Sequence, residues 1–284
     1  RQRQMCIRDR PGQALAGWVS AVWFALSFPD LPKVVSVICT VIIGLVAGGI
    51  AGAIPGILRA YLGTSEVIVT IMMNYIILYV ANNIIRFGFT ADMLRSSEAS
   101  NKVVASASYQ TEFLSQITGG SRFNIGFFLA LAAAFLVWFL LKKTTTGFEI
   151  TSVGLNPHAS EYAGMSSKRV IIMSMIISGA LCGLGGTVEG LGTFQNVFVQ
   201  NASLAIGWNG MAVALLASNS PIGIPFAALL YGVLSIGKSG MIGVPSEIID
   251  VVSALIIFFV GANYIIRYWV RPRHKSVKAK GGQN

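Results

Sequence analysis

The sequence predicts an all-α, polytopic transmembrane helical bundle of about eight membrane segments. Three observations carry that prediction. Hydrophobic residues make up 54% of the chain and charged residues only 11%, against about 25% charged in a typical soluble domain. The apolar residues are gathered into runs, several of them about 20 residues long, the length that crosses a bilayer as a helix. Lipid leaves open sheet edges unsatisfied, so runs of that length imply helices rather than strands.

The candidate spans, in order, are Ala14–Phe28, Val34–Ile54, Glu66–Arg86, Phe123–Leu141, Val170–Gly192, Leu204–Ser218, Ile222–Gly237 and Glu247–Ile266. The first and sixth are short, as broken or re-entrant segments are. Ahead of them, RQRQMCIRDR has no periodicity and no clean signal-peptide cleavage site follows it. Residues 1–11 are therefore read as a non-native or misjoined stretch. A transmembrane domain over residues 12–267 and a basic tail over 268–284 complete the organisation.

The second span carries Gly44, Gly48, Gly52 and Gly56, and the fifth carries Gly179, Gly183, Gly186 and Gly190. Both sets form one-sided small ridges, which let helix backbones approach closely in lipid. Bundle packing is the plain reading; lining a path, or letting helices slide, is the alternative.

The third span holds Glu66, Asn74, Asn82 and Asn83. Thr64 or Ser65 is placed to cap it, with Glu66 in its first turn favouring the helix dipole. Asn74 lies deeper and is the better candidate for a solute path, because buried polar groups are costly in lipid. Glu189 falls near the end of the glycine-lined fifth span. Gln195, Asn196, Gln200, Asn201 and Asn209 gather around the short sixth segment. A broken helix among amide side chains offers hydrogen bonds to a polar, uncharged solute. The pathway candidates are thus Glu66, Asn74, Glu189, Asn196 and Asn209.

Between the fourth and fifth spans lies a polar island, Lys142–Arg169, with two basic residues at each end. That flanking charge places it in the cytoplasm, and it is far longer than a joining loop needs. Within it, Asn156 is a cap and Pro157 the first residue of a short helix that carries Glu161 and stops at Gly164. Such a helix suits a soluble partner; an idle interfacial helix is the plainer alternative.

The tail carries Arg267, Arg271, Arg273, Lys275, Lys278 and Lys280. An even number of crossings must separate it from the island, so Leu204–Ser218 is expected to cross, as a half-helix continued by the Ser218–Gly223 turn. Propagated backward, Phe87–Arg122 lies outside and Pro55–Ser65 inside, and the inside basic residues then outnumber those outside. Phe87–Arg122 becomes a polar outer loop that a partner can touch. The same distribution accounts for the net charge of +10 through lipid-facing cytoplasmic ends, and it excludes a nucleic-acid partner.

No catalytic or metal constellation stands out. Cys6, Cys39 and Cys182 contain no CxxC pair, and His158 and His274 have no second ligand near them in sequence. One phosphate-loop match, Gly232 to Ser239, lacks the strand before it and the helix after it that such a loop requires. It reads as a helix end with Gly and Lys as stop signals.

The run Gly147-Phe148-Glu149, then Val153-Gly154-Leu155-Asn156-Pro157 and Ala163-Gly164-Met165, resembles the cytoplasmic coupling loop of bacterial ABC importer permeases. The branch is the one for sugars, branched-chain amino acids and nucleosides. Gly63-Thr64-Ser65-Glu66-Val67-Ile68 with Met72-Met73-Asn74-Tyr75-Ile76 is similar to its nucleoside-type members. So are Met211–Ala217 and Pro221–Ala228.

The resemblance covers about Gly12 to Arg267. It implies that Gly147, Glu149, Gly154, Asn156, Pro157, Glu161, Ala163 and Gly164 couple to a separate cytoplasmic ATPase, which binds the ATP and Mg; no cofactor is expected on this chain. It further implies a second permease subunit, identical or not, and an extracytoplasmic solute-binding protein or lipoprotein. Family members carry further N-terminal helices, and Gly12-Gln13-Ala14 resembles the middle of their pattern, so an N-terminally truncated chain is expected. The function implied is a non-catalytic permease subunit in the bacterial cell membrane, for a nucleoside or else a sugar such as a pentose. An ion-coupled secondary transporter is the rival, disfavoured by the scarcity of mid-membrane ionisable residues.

Overall fold

The computed structural model describes residues 11–111, 124–202 and 205–240, with 248, 251, 254 and 255. The expected span Glu247–Ile266, the basic tail and residues 1–10 lie outside the described residues. The chain divides into two compact units, Arg1–Met211 and Ala212–Asn284.

The first unit is built from helices α1 (Pro11–Ser27), α2 (Lys33–Leu62) and α3 (Glu66–Asn83), the last continuing as a π-helical turn over Ile84–Gly88. A short hairpin follows, β1 (Leu94–Ser96) and β2 (Ala99–Ser100). Then come α4 (Gly126–Lys143), α5 (Thr145–Leu155), α6 (Pro157–Tyr162) and α7 (Ser167–Val188), which passes into a π-helical segment, Glu189–Phe194. Helix α8 (Ala205–Leu216) follows, and α9 (Gly223–Gly240) belongs to the second unit. Among the described residues four helices are long and apolar enough to cross a membrane: Lys33–Leu62, Val67–Gly88, Gly126–Lys143 and Ser167–Phe194.

One sequence expectation changes, and two others can be placed on the helices. Helix α2 does not stop at Ile54. It runs through a buried Pro55 to Leu62 and ends at Gly63 in the left-handed conformation, so Pro55–Ser65 is a helix end and a three-residue joint. Proline removes one helical donor, and spanning helices tolerate this where neighbours pack around the break. The sixth segment is a helix of only 12 residues, about 18 Å at 1.5 Å per residue, too short to cross alone. The Gly232–Ser239 motif lies inside α9, where its amides close helical turns and cannot cradle phosphate.

The glycine ridges meet each other. A Cβ on Gly48 would run into the Gly179 carbonyl and Gly183, and one on Gly52 into the Met175 carbonyl. Helices α2 and α7 therefore cross main chain to main chain, the contact that small-residue ridges permit. Helix α1 closes on the same helix, with Gly17 against Gly183 and Ala14 against Gly186.

The buried core sits where α1, the end of α3 and the segment after α7 converge. Leu15, Trp18, Val22, Ile85, Tyr109, Leu191 and Val197 are its centre. Trp18 stacks on Phe194 at 5.2 Å, meets Phe198 edge-on, and donates its indole N–H to the Asn196 carbonyl at 2.9 Å.

Candidate functional site

Two surfaces of the first unit carry candidate functional residues. The first is the polar island. Its expected short helix is present: Asn156 Oδ1 accepts from the Ala159 amide at 3.2 Å, Pro157 is the first helical residue, and Gly164 adopts φ +85°. That φ is open to glycine at no cost and costs other residues about 1–2 kcal/mol. Ser167 Oγ donates to the Pro157 carbonyl at 3.1 Å, which ties the helix to the first turn of α7.

The sequence reading missed α5. Its signal is Thr144, whose Oγ1 accepts from the Gly147 amide at 3.1 Å and donates to the Leu140 carbonyl at 2.6 Å. One hydroxyl thus closes α4 and opens α5, as an N-cap does. Gly147 is buried in that reversal, where a Cβ would collide with the Leu140 carbonyl. Glu149 and Gly154 lie half-buried on α5, while Asn156, Glu161, Ala163 and Gly164 are exposed. Phe148, Leu155 and Tyr162 also face outward, Tyr162 at 95% exposure. The island is therefore a three-part structure: α5, the Asn156 joint and α6, presenting three large apolar side chains beside two carboxylates. Nearby, the Lys168 ammonium lies 5.5 Å from the Tyr61 ring centre, so the end of α2 shares this end of the bundle.

The second surface lies at the far end of α3. Asn82 Nδ2 donates to the Gln200 carbonyl at 2.8 Å, and Asn82 Oδ1 accepts from the Gln200 amide at 3.0 Å. The hairpin grips the same segment. Ser100 N–H donates to the Val197 carbonyl at 2.8 Å, and Val199 N–H donates to the Glu98 carbonyl at 2.8 Å. A cleft of about 340 Å³ opens there between α3, its π-helical continuation and residues 199–201.

Of the loop expected over Phe87–Arg122, residues 89–111 form a folded cap laid along the segment after α7, and residues 112–122 lie outside the described residues. Val103 N–H donates to the Gln195 carbonyl at 2.7 Å, and Gln195 Nε2 to Ser108 Oγ at 3.0 Å. Tyr109, near the end of the cap, is fully buried, with its hydroxyl 3.0 Å from Thr40 Oγ1. Burial pushes its pKa up to about 12, against a smaller opposing effect of the Thr40 hydrogen bond.

The pathway candidates do not form one cluster. Asn74 accepts from the Gly12 amide at 3.1 Å, whereas the Asn196 carbonyl accepts from Trp18, more than a helical turn further along α1. Glu189 opens the π-helical segment, and Thr193 Oγ1 donates to its carboxylate at 3.4 Å. Asn209 is exposed on α8. Glu66 is the first residue of α3, and the cap residue Ser65 makes no side-chain hydrogen bond there. Thr64 turns back instead, its Oγ1 donating to the Leu58 carbonyl at 3.3 Å. The free-amide cluster expected around the sixth segment is partly committed: Gln195 to Ser108, and the Gln200 main chain to Asn82.

Comparison with known proteins places these features in a context. The family described as branched-chain amino acid transport system / permease component matches residues 11–261. The chain is 52% identical over 272 residues to the nucleoside ABC transporter permease protein NupB of Lactococcus lactis, covering 94% of this chain and 74% of that one. It is 47% identical over 260 residues to the guanosine ABC transporter permease protein NupP of Bacillus subtilis, covering 90% and 73%. A shorter match, 36% over 104 residues, joins 37% of this chain to 32% of NupQ, also a guanosine ABC transporter permease protein of Bacillus subtilis. No solved structure matches the chain.

Proposed function

Because the chain belongs to this family of ABC transporter permease components, we propose that it is the membrane-spanning subunit of an importer that carries nucleosides into the cell. The 52% identity to a nucleoside permease over 94% of the chain carries this reading. The chain supplies the path, and ATP hydrolysis belongs to a partner ATPase.

In this reading the island faces the cytoplasm and the ATPase closes around α5 and α6. Phe148, Leu155 and Tyr162 are the exposed apolar anchors, and Glu149 and Glu161 set charge complementarity, which governs register more than affinity. The Asn156 cap and the Ser167–Pro157 hydrogen bond pass displacement of α6 directly to α7. A helix pushed from one side biases the bundle between two access states. The folded cap faces outward, toward an extracytoplasmic solute-binding protein or lipoprotein.

NupP and NupQ are two permease proteins with the same guanosine description in one organism, the first matched over 90% of this chain and the second over 37%. That favours a second, non-identical permease subunit as the partner of this chain. Uptake of labelled guanosine tests the reading, in a strain lacking its own nucleoside uptake and expressing this chain with the other subunits of its system. Accumulation that needs an active ATPase and is competed by other nucleosides, and not by leucine, is the expected result. Leucine or glucose uptake in its place overturns it.

A further inference from the structure

The cleft at the end of α3 takes no part in the island or the glycine crossing. At about 340 Å³ it falls within the range of small-molecule sites, about 300–1,000 Å³. Both its walls are held. One is helical; the other, residues 199–201, is fixed by the two Asn82 hydrogen bonds and by the hairpin.

The lining is chemically mixed. Tyr79 and Phe87 present exposed rings. The side-chain amides of Asn83, Gln200 and Asn201 have no hydrogen-bond partner among the described residues. Asn82, by contrast, has both ends of its amide committed. The Arg86 guanidinium lies 3.9 Å from Glu98 in an exposed pair, and the lining carries no carboxylate of its own.

These groups select by chemistry. Aromatic faces favour a flat ring system, and base-on-aromatic stacking contributes about 1–3 kcal/mol per base. Amides both donate and accept, which suits the edge of a heterocycle or a sugar hydroxyl. A zwitterionic amino acid needs an acid for its ammonium as well as a cation for its carboxylate, and the cleft lining holds no acid.

We propose that this cleft is a binding site for a nucleoside, held between the Tyr79 and Phe87 rings and the amides of Asn83, Gln200 and Asn201. The proposal rests on the nucleoside reading above and goes beyond it by locating a solute site on this subunit. In the orientation given there, the site stands at the outer mouth of the bundle.

Photolabelling of the assembled transporter in nanodiscs with 8-azidoguanosine tests it. Label is expected in the peptide carrying Tyr79–Phe87 or in that carrying residues 199–201, competed by guanosine and not by leucine. The double variant Asn83→Ala, Asn201→Ala should lower that label at least fivefold. Both side chains are exposed, and co-purification of the variant with its ATPase and partner permease in unaltered yield reports intact assembly. Label mapping elsewhere in the chain, or undiminished in the variant, overturns the proposal. Guanosine uptake by the unaltered transporter separates the two ideas. Uptake without label in the cleft removes this site alone, and absence of uptake for any nucleoside removes the reading on which it rests.

Discussion

The Asn82 side chain pairs with both main-chain polar groups of Gln200, donating to its carbonyl at 2.8 Å and accepting from its amide at 3.0 Å. The two residues are 118 positions apart in sequence. Asn82→Ala should remove both bonds and lower stability by about 1–3 kcal/mol. Hydrogen exchange over residues 197–201 should rise in step. Unchanged protection there would show that the hairpin alone holds the segment.

Gly147→Ala puts a methyl group into the Leu140 carbonyl. The α4–α5 reversal must open, so the variant should reach the membrane yet retain the ATPase poorly on purification. Solute uptake should fall at least tenfold. Wild-type association would show that the ATPase does not depend on the angle of this reversal.

Tyr162→Ala and Glu161→Lys change exposed side chains on α6. Stability should stay within about 0.5 kcal/mol of the parent, whereas uptake and ATPase stimulation by the solute should drop together. A melting shift without loss of uptake would assign α6 a purely structural role.

Gly48→Leu drives a large side chain into Gly179 and Gly183. Overpacking costs about 1–3 kcal/mol even where side chains can yield, and here backbone is struck. Yield of folded protein in detergent should collapse, while Gly185→Ala, where a Cβ meets nothing within 4 Å, should be tolerated.

Tyr109 gives a pH dependence. Its folded pKa, about 12, lies above the ordinary tyrosine value of 10.0 because burial opposes the phenolate. The unfolded chain therefore loses its proton first. The contribution is complete below pH 10 and is lost as pH rises from about 10 to about 12. Melting temperatures taken between pH 9 and pH 11 should fall more steeply for the parent than for Tyr109→Phe.

These residues also mark what was legible in the sequence. The glycine ridges and the Asn156-Pro157 start of α6 are periodic or local signals, and the structure follows both. Helix α5 hid because Thr145–Leu155 is neither strongly apolar nor charged, and its start rests on one threonine hydroxyl. Pro55 misled because proline is a helix stop in water and a tolerated break among packed helices in lipid. The cap could not be foreseen. Its hydrogen bonds join residues such as Ser100 and Val197, nearly a hundred positions apart, and neither strand has a pattern of its own.

The crossing of α2 and α7 has a mechanical corollary. Where two helices touch through main chain, no side chain stands between them to switch rotamer and take up a displacement. Neither member can roll or ratchet past the other without losing contact along several turns. The pair is the stiff strut of the bundle. Strain from a transport cycle must then be absorbed where the chain can bend: at the Gly63–Ser65 joint, and in the two π-helical turns that end α3 and α7.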